Sequence, residues 1–409
     1  MSTAHDRGAS SPQLMRRANR QALMQHALRG DAFTAADAMS ATGLTRATVL
    51  GVCAELEEAG LLREVSAARG DGAVQRGRPA RHYALREDAA VLLAVDAGQH
   101  TLTARAADLR GRELATACST LGGTLEDADV EVGAAAAEMR VERIRSLIDQ
   151  VIEDAGAEGR RRLLTVVGVP APVDADGRSP SGGKTYWPAM NPGLVEALDG
   201  PVVVENDANL AVLAERAGAE SPHLAALLMG ERFGAGLVVD SRLLRGAEGG
   251  AGEMRFLDVV MGDDRGTDGV AALARRWTLE ALAEGETSSV LGDVPASSLT
   301  AVDVFAAARD GDRLAGAVLA RIGERVARIA AILSSLLGVE LVVVAGAIAE
   351  ASEPVLAHAR AALPRIATPP HPRLEASALG ADVVVHGAIE LALARLREDP
   401  LDLDRKSVV

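Results

Sequence analysis

The chain of 409 residues is 48% hydrophobic and 24% charged, as folded globular proteins are, and its length predicts two or three cores. Two cysteines exclude a disulfide framework. The chain shows neither a signal-peptide pattern nor an apolar run long enough for a membrane span, so the cytoplasm is the expected compartment. The net charge of −14 excludes a surface that is basic throughout, but residues 1–85 carry 11 Arg against 8 Asp and Glu. A basic N-terminal segment followed by an acidic remainder suits a protein that binds DNA through its N-terminal segment only.

Three helices are predicted in the N-terminal segment. Apolar residues at helical spacing place the first over residues 12–29. Thr34 starts a short second helix that Gly43 ends, and Thr45 caps a third helix that ends at Gly60. Two short helices joined by a three- or four-residue turn that contains glycine are typical of the DNA-binding helix-turn-helix.

The third helix carries candidate DNA-contacting residues at its N-terminal end. Its predicted core stripe consists of Val49, Val52, Cys53 and Leu56. Thr45, Arg46 and Thr48 point away from that stripe, and residues in this position of the motif reach base edges. Arg46 can donate to guanine, and the threonines can meet phosphates or a thymine methyl group. The alternative is a small helical domain with a solvated arginine.

A β-hairpin is predicted next, with strands at residues 61–65 and 82–85. The connecting loop is rich in glycine and arginine, and its tip is predicted to include Arg69, Arg76, Arg78 and Arg81. Basic loops of this kind contact phosphates or enter the minor groove. The segment therefore indicates a winged helix-turn-helix that binds double-stranded DNA, with a flexible linker between domains as the alternative.

Strands alternate with helices beyond this hairpin, which predicts an α/β protein. The main predicted elements are two strands over 91–114 with a turn at Asp108 to Gly111, a helix over 138–155, a strand in 163–174, a strand and helix over 201–219, strands with Gly-rich loops over 223–253, a long helix over 311–337, a strand in 340–350 and a closing helix over 382–397. We therefore divide the chain into a winged helix-turn-helix domain over 1–85 and an α/β domain over 86–409.

Four motifs of the second domain resemble those of the ROK family, which comprises repressors, open reading frames and kinases. They are Asp96-Ala97-Gly98, the Pro-rich turn Val169 to Asp174, Glu205-Asn206-Asp207-Ala208-Asn209, and the glycine-rich signature from Gly234 to Glu253. The resemblance covers essentially the whole chain and implies a two-lobed actin-like ATPase fold. A winged helix ahead of this fold is a feature of the family's repressors and not of its kinases. The resemblance thus implies a regulator, specifically a repressor, of carbohydrate-related genes.

The resemblance also implies that the nucleotide side of the ROK site is degenerate. Asp207 matches the family's general base. The loop that begins with Asp96-Ala97-Gly98, which we call the first loop, lacks the second glycine and the lysine of the family's Asp-x-Gly-Gly-Thr-Lys. Glu231 and Arg232 follow Gly230 where the family has Gly-Thr-Gly, and Ala345 replaces the first glycine of a Gly-Gly pair. The lost glycines belong where backbone approaches phosphate closely. We expect weak or absent ATP binding, no catalytic residues and no cofactor.

The sugar side of the site is partly retained. The candidate effector-binding residues are Asn206, Asp207, Glu253 and Arg255. Their side chains can bind a polyol, and the cation at Arg255 would favour an acidic or phosphorylated ligand. Phe256 replaces the family's histidine, and residues 257–275 contain neither Cys nor His, so we expect no zinc. The alternative is that these polar residues only hold loops together.

Three functional hypotheses follow. The favoured one is a DNA-binding regulator whose ROK domain provides oligomerisation and sugar sensing, acting as a homodimer or dimer of dimers on a pseudo-palindromic site. The competing one is an active kinase that phosphorylates a hexose or amino sugar. The third is a regulator that needs no effector and retains only a vestigial sugar site.

Overall fold

The computed structural model describes residues 11–66, 80–121, 130–180, 186–253, 268–401 and 403. Three β-sheets organise the chain: one of three strands near the N-terminus and two of five strands beyond it. Among the helices of these ranges, none has the length and apolar character needed to cross a lipid bilayer.

The N-terminal domain has the predicted winged helix-turn-helix arrangement. Its elements are α1 (Ser11–Arg29), β1 (Ala32–Thr34), α2 (Ala35–Thr42), α3 (Arg46–Glu58), β2 (Leu62–Val65) and β3 (His82–Leu85). The three predicted helices and both hairpin strands are confirmed. Strand β1 was not predicted: it is only three residues long and pairs antiparallel with β3, which lies far along the chain. The sheet order is β1-β3-β2, with all pairs antiparallel.

Local capping fixes where the two short helices begin and end. Thr34 caps α2 in a capping box with Asp37, and Thr45 caps α3 by accepting a hydrogen bond from the backbone N of Thr48 at 3.3 Å. Gly43 ends α2 with φ 71°, a left-handed conformation that glycine adopts without steric cost.

The second domain consists of two lobes with the same topology. The first lobe contains β4 (Ala90–Ala97), β5 (Thr101–Ala107), β6 (Glu113–Thr120), β7 (Arg161–Val169) and β8 (Val202–Asn206); the second contains β9 (Leu224–Met229), β10 (Phe233–Val239), β11 (Arg242–Leu243), β12 (Leu341–Ala345) and β13 (Arg373–Ala376). In both sheets the order is third, second, first, fourth, fifth. The second and third strands run antiparallel to their neighbours, and the fourth and fifth run parallel. This repeat is the two-lobed actin-like fold that we predicted.

The helices of the two lobes are α4 (Val130–Asp154), α5 (Tyr186–Met190), α6 (Leu194–Ala197), α7 (Asp207–Gly218), α8 (Val270–Ala283), α9 (Ala301–Arg309), α10 (Arg313–Leu337), α11 (Glu353–Ile366) and α12 (Val383–Glu398). The predicted helices in 138–155, 201–219, 311–337 and 382–397 are confirmed. The prediction of two strands over 91–114 is wrong, because the chain turns at residues 98–100 as well and so forms β4, β5 and the start of β6. Gly98 was the only turn-forming residue at that point.

Helix α7 packs against elements of both lobes at very short range. A Cβ atom added to Gly387 of α12 would lie 1.8 Å from the carbonyl O of Leu210, and one added to Gly236 of β10 would lie 2.0 Å from the carbonyl O of Ala208. Only glycine permits these approaches. Helix α7 is therefore held between the lobes with little freedom to shift.

The N-terminal domain packs directly on the first lobe. Leu23 and Met24 of α1 belong to the same continuous cluster of buried apolar residues as Leu92 of β4. Arg110, in the turn after β5, donates hydrogen bonds of 2.7 Å to the carbonyl O atoms of Leu28 and Gly30 at the C-terminal end of α1. A cation at this end of a helix stabilises its unpaired carbonyl groups.

Candidate DNA-binding surface and sugar cleft

The N-terminal end of α3 presents the predicted DNA-contacting residues at the surface. Thr45 and Arg46 are exposed and Thr48 is half-buried, whereas the predicted core stripe of α3 is at most 6% exposed. Arg46 makes no hydrogen bond or ion pair with any residue that the structure describes, which leaves its guanidinium group available to an outside partner. The hydroxyl groups of Thr45 and Thr48 lie 2.9 Å apart and stabilise the start of the helix.

Of the predicted wing arginines, Arg81 is the one that falls within the described residues. It directly precedes β3, and its Nη1 atom lies 3.6 Å from Oε2 of Glu64 on β2. Arg81 therefore lies at the base of the hairpin and not at its tip, which corrects the predicted position. Arg69, Arg76 and Arg78 lie outside the described residues.

Helix α7 lies between the two lobes, and we call the region at its N-terminal end the cleft. It contains Asp207, on which the charge of Glu253 acts. Asp207 is the first residue of α7, and its Oδ1 accepts a hydrogen bond of 2.7 Å from the backbone N of Ala208. Burial, together with the negative charges of Asp96 and Glu253, raises the pKa of Asp207 to about 8, although the hydrogen bond from the backbone N of Ala208 opposes this rise. Burial likewise raises the pKa of Asp96, at the end of β4, to about 7, against the opposing effect of Arg140. Three carboxyl groups thus share one cleft, and two of them are partly protonated near neutral pH.

Arg140 of α4 fixes the first loop by hydrogen bonds to its backbone carbonyl groups, a role that the sequence did not suggest. Its side chain is 2% exposed, and burial lowers its pKa to about 10. Its Nη1 donates to the carbonyl O of Gly98 at 3.0 Å, its Nη2 donates to that of Ala97, and its Nε donates to that of Met190 at 3.2 Å. The first loop therefore directs two carbonyl groups toward a buried cation.

The side chain of Asn206 is engaged in holding the cleft together. Its Oδ1 accepts a hydrogen bond of 3.1 Å from the backbone N of Asn209, and its Nδ2 donates to the carbonyl O of Ala171 at 3.1 Å. Glu205 next to it is 4% exposed and forms an ion pair with Arg245, whose Nε and Nη2 lie 3.0 and 2.9 Å from Oε2. These contacts favour a structural role for Asn206 and leave Asp207 and Glu253 as the stronger ligand-binding candidates.

A contact between the lobes involves Arg232, which lies in a loop that the resemblance to the ROK family assigns to nucleotide binding. The guanidinium carbon of Arg232, in the second lobe, lies 4.1 Å from the ring centroid of Tyr186 in α5, a cation–π distance. Tyr186 is 6% exposed, and its hydroxyl donates to Oε1 of Gln99 at 3.3 Å. Trp187, the next residue of α5, is partly exposed beside it. Gln99 and Arg232 are two of the residues that depart from the family's phosphate-binding motifs.

Two further predictions concern this cleft. Arg255 lies outside the described residues, so its place relative to the cleft stays a prediction. Among the residues that the structure does describe, no three His, Cys, Asp or Glu side chains are grouped so as to hold a metal ion.

The profile of the ROK family matches residues 93–395, about three quarters of the sequence. This chain belongs to the ROK family. The matched range begins in β4 and ends within α12, so it includes both lobes and the cleft between them.

Two curated relatives of this ROK protein are glucokinases. That of Halalkalibacterium halodurans is 31% identical over 193 residues, which are 42% of this chain and 58% of the relative. That of Thermotoga maritima is 28% identical over 228 residues, which are 51% of this chain and 71% of the relative. This chain thus spans less than two thirds of the length of the first relative.

Among solved structures, a ROK family transcriptional regulator described as a homologue of the E. coli MLC protein matches with a TM-score of 0.70 and 21% identity, covering 93% of this chain and 96% of that one. A ROK family glucokinase from Streptomyces griseus, in complex with glucose and AMPPNP, matches with a TM-score of 0.59 and 26% identity, covering 74% and 98%. Coverage of 93% requires that the first match extend over the winged helix-turn-helix, so that protein shares the fold of both domains.

Sequence reasoning missed three residues that shape the cleft. Arg245 lies within the glycine-rich signature from Gly234 to Glu253, and that position could have indicated a role for it in the site. Arg140 and Tyr186 lie outside every motif, in segments whose sequence pattern indicated no special role. Their contacts depend on how α4 and α5 pack against the end of β4, which local sequence does not specify.

Proposed function

We propose that this ROK protein is a DNA-binding transcriptional regulator whose ROK domain carries a sugar-effector cleft and no working kinase site. The observation that carries the proposal is the exposed leading end of α3, where Arg46 has no partner among the described residues while the opposite face of the helix is buried. Recognition helices present their first residues to the major groove in this way. The regulator that shares the fold of both domains supports the same conclusion.

The effector in this proposal is a sugar or sugar derivative that binds in the cleft near Asp207 and Glu253. Partly protonated carboxyl groups both donate and accept hydrogen bonds, which suits the hydroxyl groups of a polyol. The target is double-stranded DNA with two half-sites, because each dimer, alone or within a dimer of dimers, presents two copies of α3. As a repressor of carbohydrate-related genes, the protein would release DNA when the sugar binds.

The test begins with genomic fragments selected by the full-length protein, whose affinity is then measured against salt concentration. Replacing Arg46 with Ala should cost about 1–3 kcal/mol of specific binding, the range of one bidentate contact to a base. Arg309→Ala removes the same charge from an exposed position in the second lobe and is the matched control. No salt-sensitive affinity of the wild-type chain for any duplex would refute the proposal.

A sugar kinase is the second candidate function, and Asp207 is the observation that favours it. A general base works best with a pKa near the operating pH, and the pKa of Asp207 is about 8. On the nucleotide side, however, Arg232 stacks on Tyr186 and the first-loop carbonyl groups face Arg140. ATP consumption with a panel of hexoses and amino sugars, abolished by Asp207→Asn, would establish the kinase and overturn our proposal.

A further inference from the structure

Ion pairs between the end of α12 and α1 join the two domains. Nη2 of Arg17 lies 2.8 Å from Oε1 of Glu398, and its Nε lies 3.5 Å from Oδ2 of Asp399. Nη2 of Arg20 lies 3.4 Å from Oδ1 of Asp399, and these two side chains are 21% and 14% exposed. Partly buried pairs are screened less by solvent than exposed ones, so they hold surfaces together more firmly. We call these four residues the clasp.

The clasp also reaches the helix that we assign to the DNA major groove. Nη1 of Arg20 lies 3.8 Å from Oε2 of Glu55 on α3. Arg20 therefore faces a carboxylate of the ROK domain on one side and a carboxylate of the recognition helix on the other. A movement of the end of α12 changes the charge that Arg20 meets and thereby the support of α3.

In the opposite direction the clasp connects to the sugar cleft. Arg395 of α12 lies less than one helical turn before Glu398. Burial lowers its pKa, and the charges of Glu398, Arg245, Glu205 and Arg17 also act on it. Arg245 in turn pairs with Glu205 at 2.9 Å, and Glu205 directly precedes the Asn-Asp pair of the cleft. Helix α12 also packs tightly on α7, which begins in the cleft. The close approach of Gly387 in α12 to the carbonyl O of Leu210 in α7 therefore connects the cleft with the helix whose C-terminal end carries the clasp.

We propose that the clasp fixes the orientation of the DNA-binding domain, and that α12, through Arg395 and its packing on α7, links the clasp to the sugar cleft. The proposal concerns the regulation of DNA binding and rests on the proposed function. A ligand that contacts the Glu205–Arg245 pair changes the charge facing Arg395, and the clasp responds at the same, C-terminal end of α12.

The first test replaces the acidic half of the clasp in the full-length protein, with Glu398→Gln and Asp399→Asn together. This change removes two negative charges, which by itself would strengthen the attraction to DNA, so a weaker complex cannot result from net charge. We expect affinity for the selected fragment to fall roughly fivefold or more, and amide hydrogen exchange in α1 to accelerate. Glu353→Gln with Glu375→Gln removes two charges from exposed ion pairs of the second lobe and should change neither.

The second test replaces Arg395 with Met, which keeps an unbranched apolar stem and removes the charge. Faster exchange in α1 is expected here as well, while exchange in α10, one face of which packs in the core of the second lobe, serves as the folding control in every variant. Unchanged α1 exchange after the acidic replacements would overturn the clasp, and unchanged exchange after Arg395→Met alone would overturn its link to the cleft. Hydrogen exchange needs no DNA, so a wild-type chain that binds no duplex would refute the proposed function and still leave the clasp to be judged.

Discussion

Replacing Asp207 with Asn should stabilise the protein at alkaline pH and change its stability little at acidic pH. The pKa of this carboxyl group rises from its ordinary value of 3.8 to about 8 in the folded protein. Between these two values the folded protein keeps a proton that the unfolded chain has released, so stability falls as the pH rises through that window. Asparagine has no proton to lose, and its Oδ1 can still accept the hydrogen bond from Ala208.

The magnitude follows from the size of the shift. A shift of about four pKa units corresponds to at most about 5–6 kcal/mol at 1.36 kcal/mol per unit. Asp207 retains some contact with water, which screens its charge, so we expect about 1–3 kcal/mol above pH 8. For a domain of about 320 residues, 1 kcal/mol moves the Tm by roughly 1.5 °C. The variant should therefore melt roughly 2–5 °C above the wild type at pH 9.

Thermal unfolding of both proteins at pH 5, 7 and 9 is the assay, with the difference in Tm as the readout. The exposed carboxylate of Asp293 provides the control, and Asp293→Asn should give a difference that does not grow with pH. A constant difference for Asp207→Asn, or a loss of Tm that increases toward pH 9, would show that this carboxyl group is not held in a charge-repelling cleft.

Three other changes test packing, the domain junction and the thiols. Gly387→Ala should lower the free energy of unfolding by about 1–3 kcal/mol, because its new Cβ would lie 1.8 Å from the carbonyl O of Leu210. Gly316 of α10 lies in open space, so Gly316→Ala should be neutral or stabilising by up to about 1 kcal/mol. Denaturant unfolding distinguishes the two variants. Arg110→Met should destabilise the chain most at neutral pH, because Arg110 holds the pKa of Glu87 below its ordinary value of 4.5. That stabilisation is lost as the pH falls below 4.5 and through the lowered pKa. A destabilisation that stays the same across a titration from neutral pH until Glu87 is protonated would contradict this. A thiol reagent should modify one cysteine per native chain, the exposed Cys118, because Cys53 is fully buried and burial raises its pKa to about 12. Modification of native Cys118→Ser would contradict the burial of Cys53.

The short helices near the N-terminus could be predicted because their signals are local. Thr34, Gly43 and Thr45 cap or end helices through contacts within three or four residues, so the sequence around them contains the whole interaction. Strand β1 could not be predicted in the same way, because its three residues are fixed by pairing with β3. Its length is below what a period-two pattern can reveal.

In the candidate site, too, residues within local motifs could be predicted, whereas contacts between distant parts of the chain could not. Asp207 and Glu253 lie in motifs, so the sequence alone could single them out as candidates, and the charge of Glu253 contributes to the raised pKa of Asp207. The Arg17–Glu398 pair spans 381 residues of sequence, and each partner by itself is an ordinary surface charge on a helix. Contacts of that range depend on how whole domains pack, so the junction between the two domains emerges only from the structure.

The scarcity of aromatic residues gives this protein a built-in optical probe. It has two tryptophans, and they lie in different surroundings: Trp187 is partly exposed in α5 beside the first loop, whereas Trp277 is 4% exposed with the guanidinium of Arg321 3.9 Å above its ring. Emission from the first indole should respond when a molecule enters between the lobes, while the second supplies a constant background. Titrations can therefore follow occupancy by intrinsic fluorescence, with Trp187→Phe as the blank and no attached dye to disturb the junction.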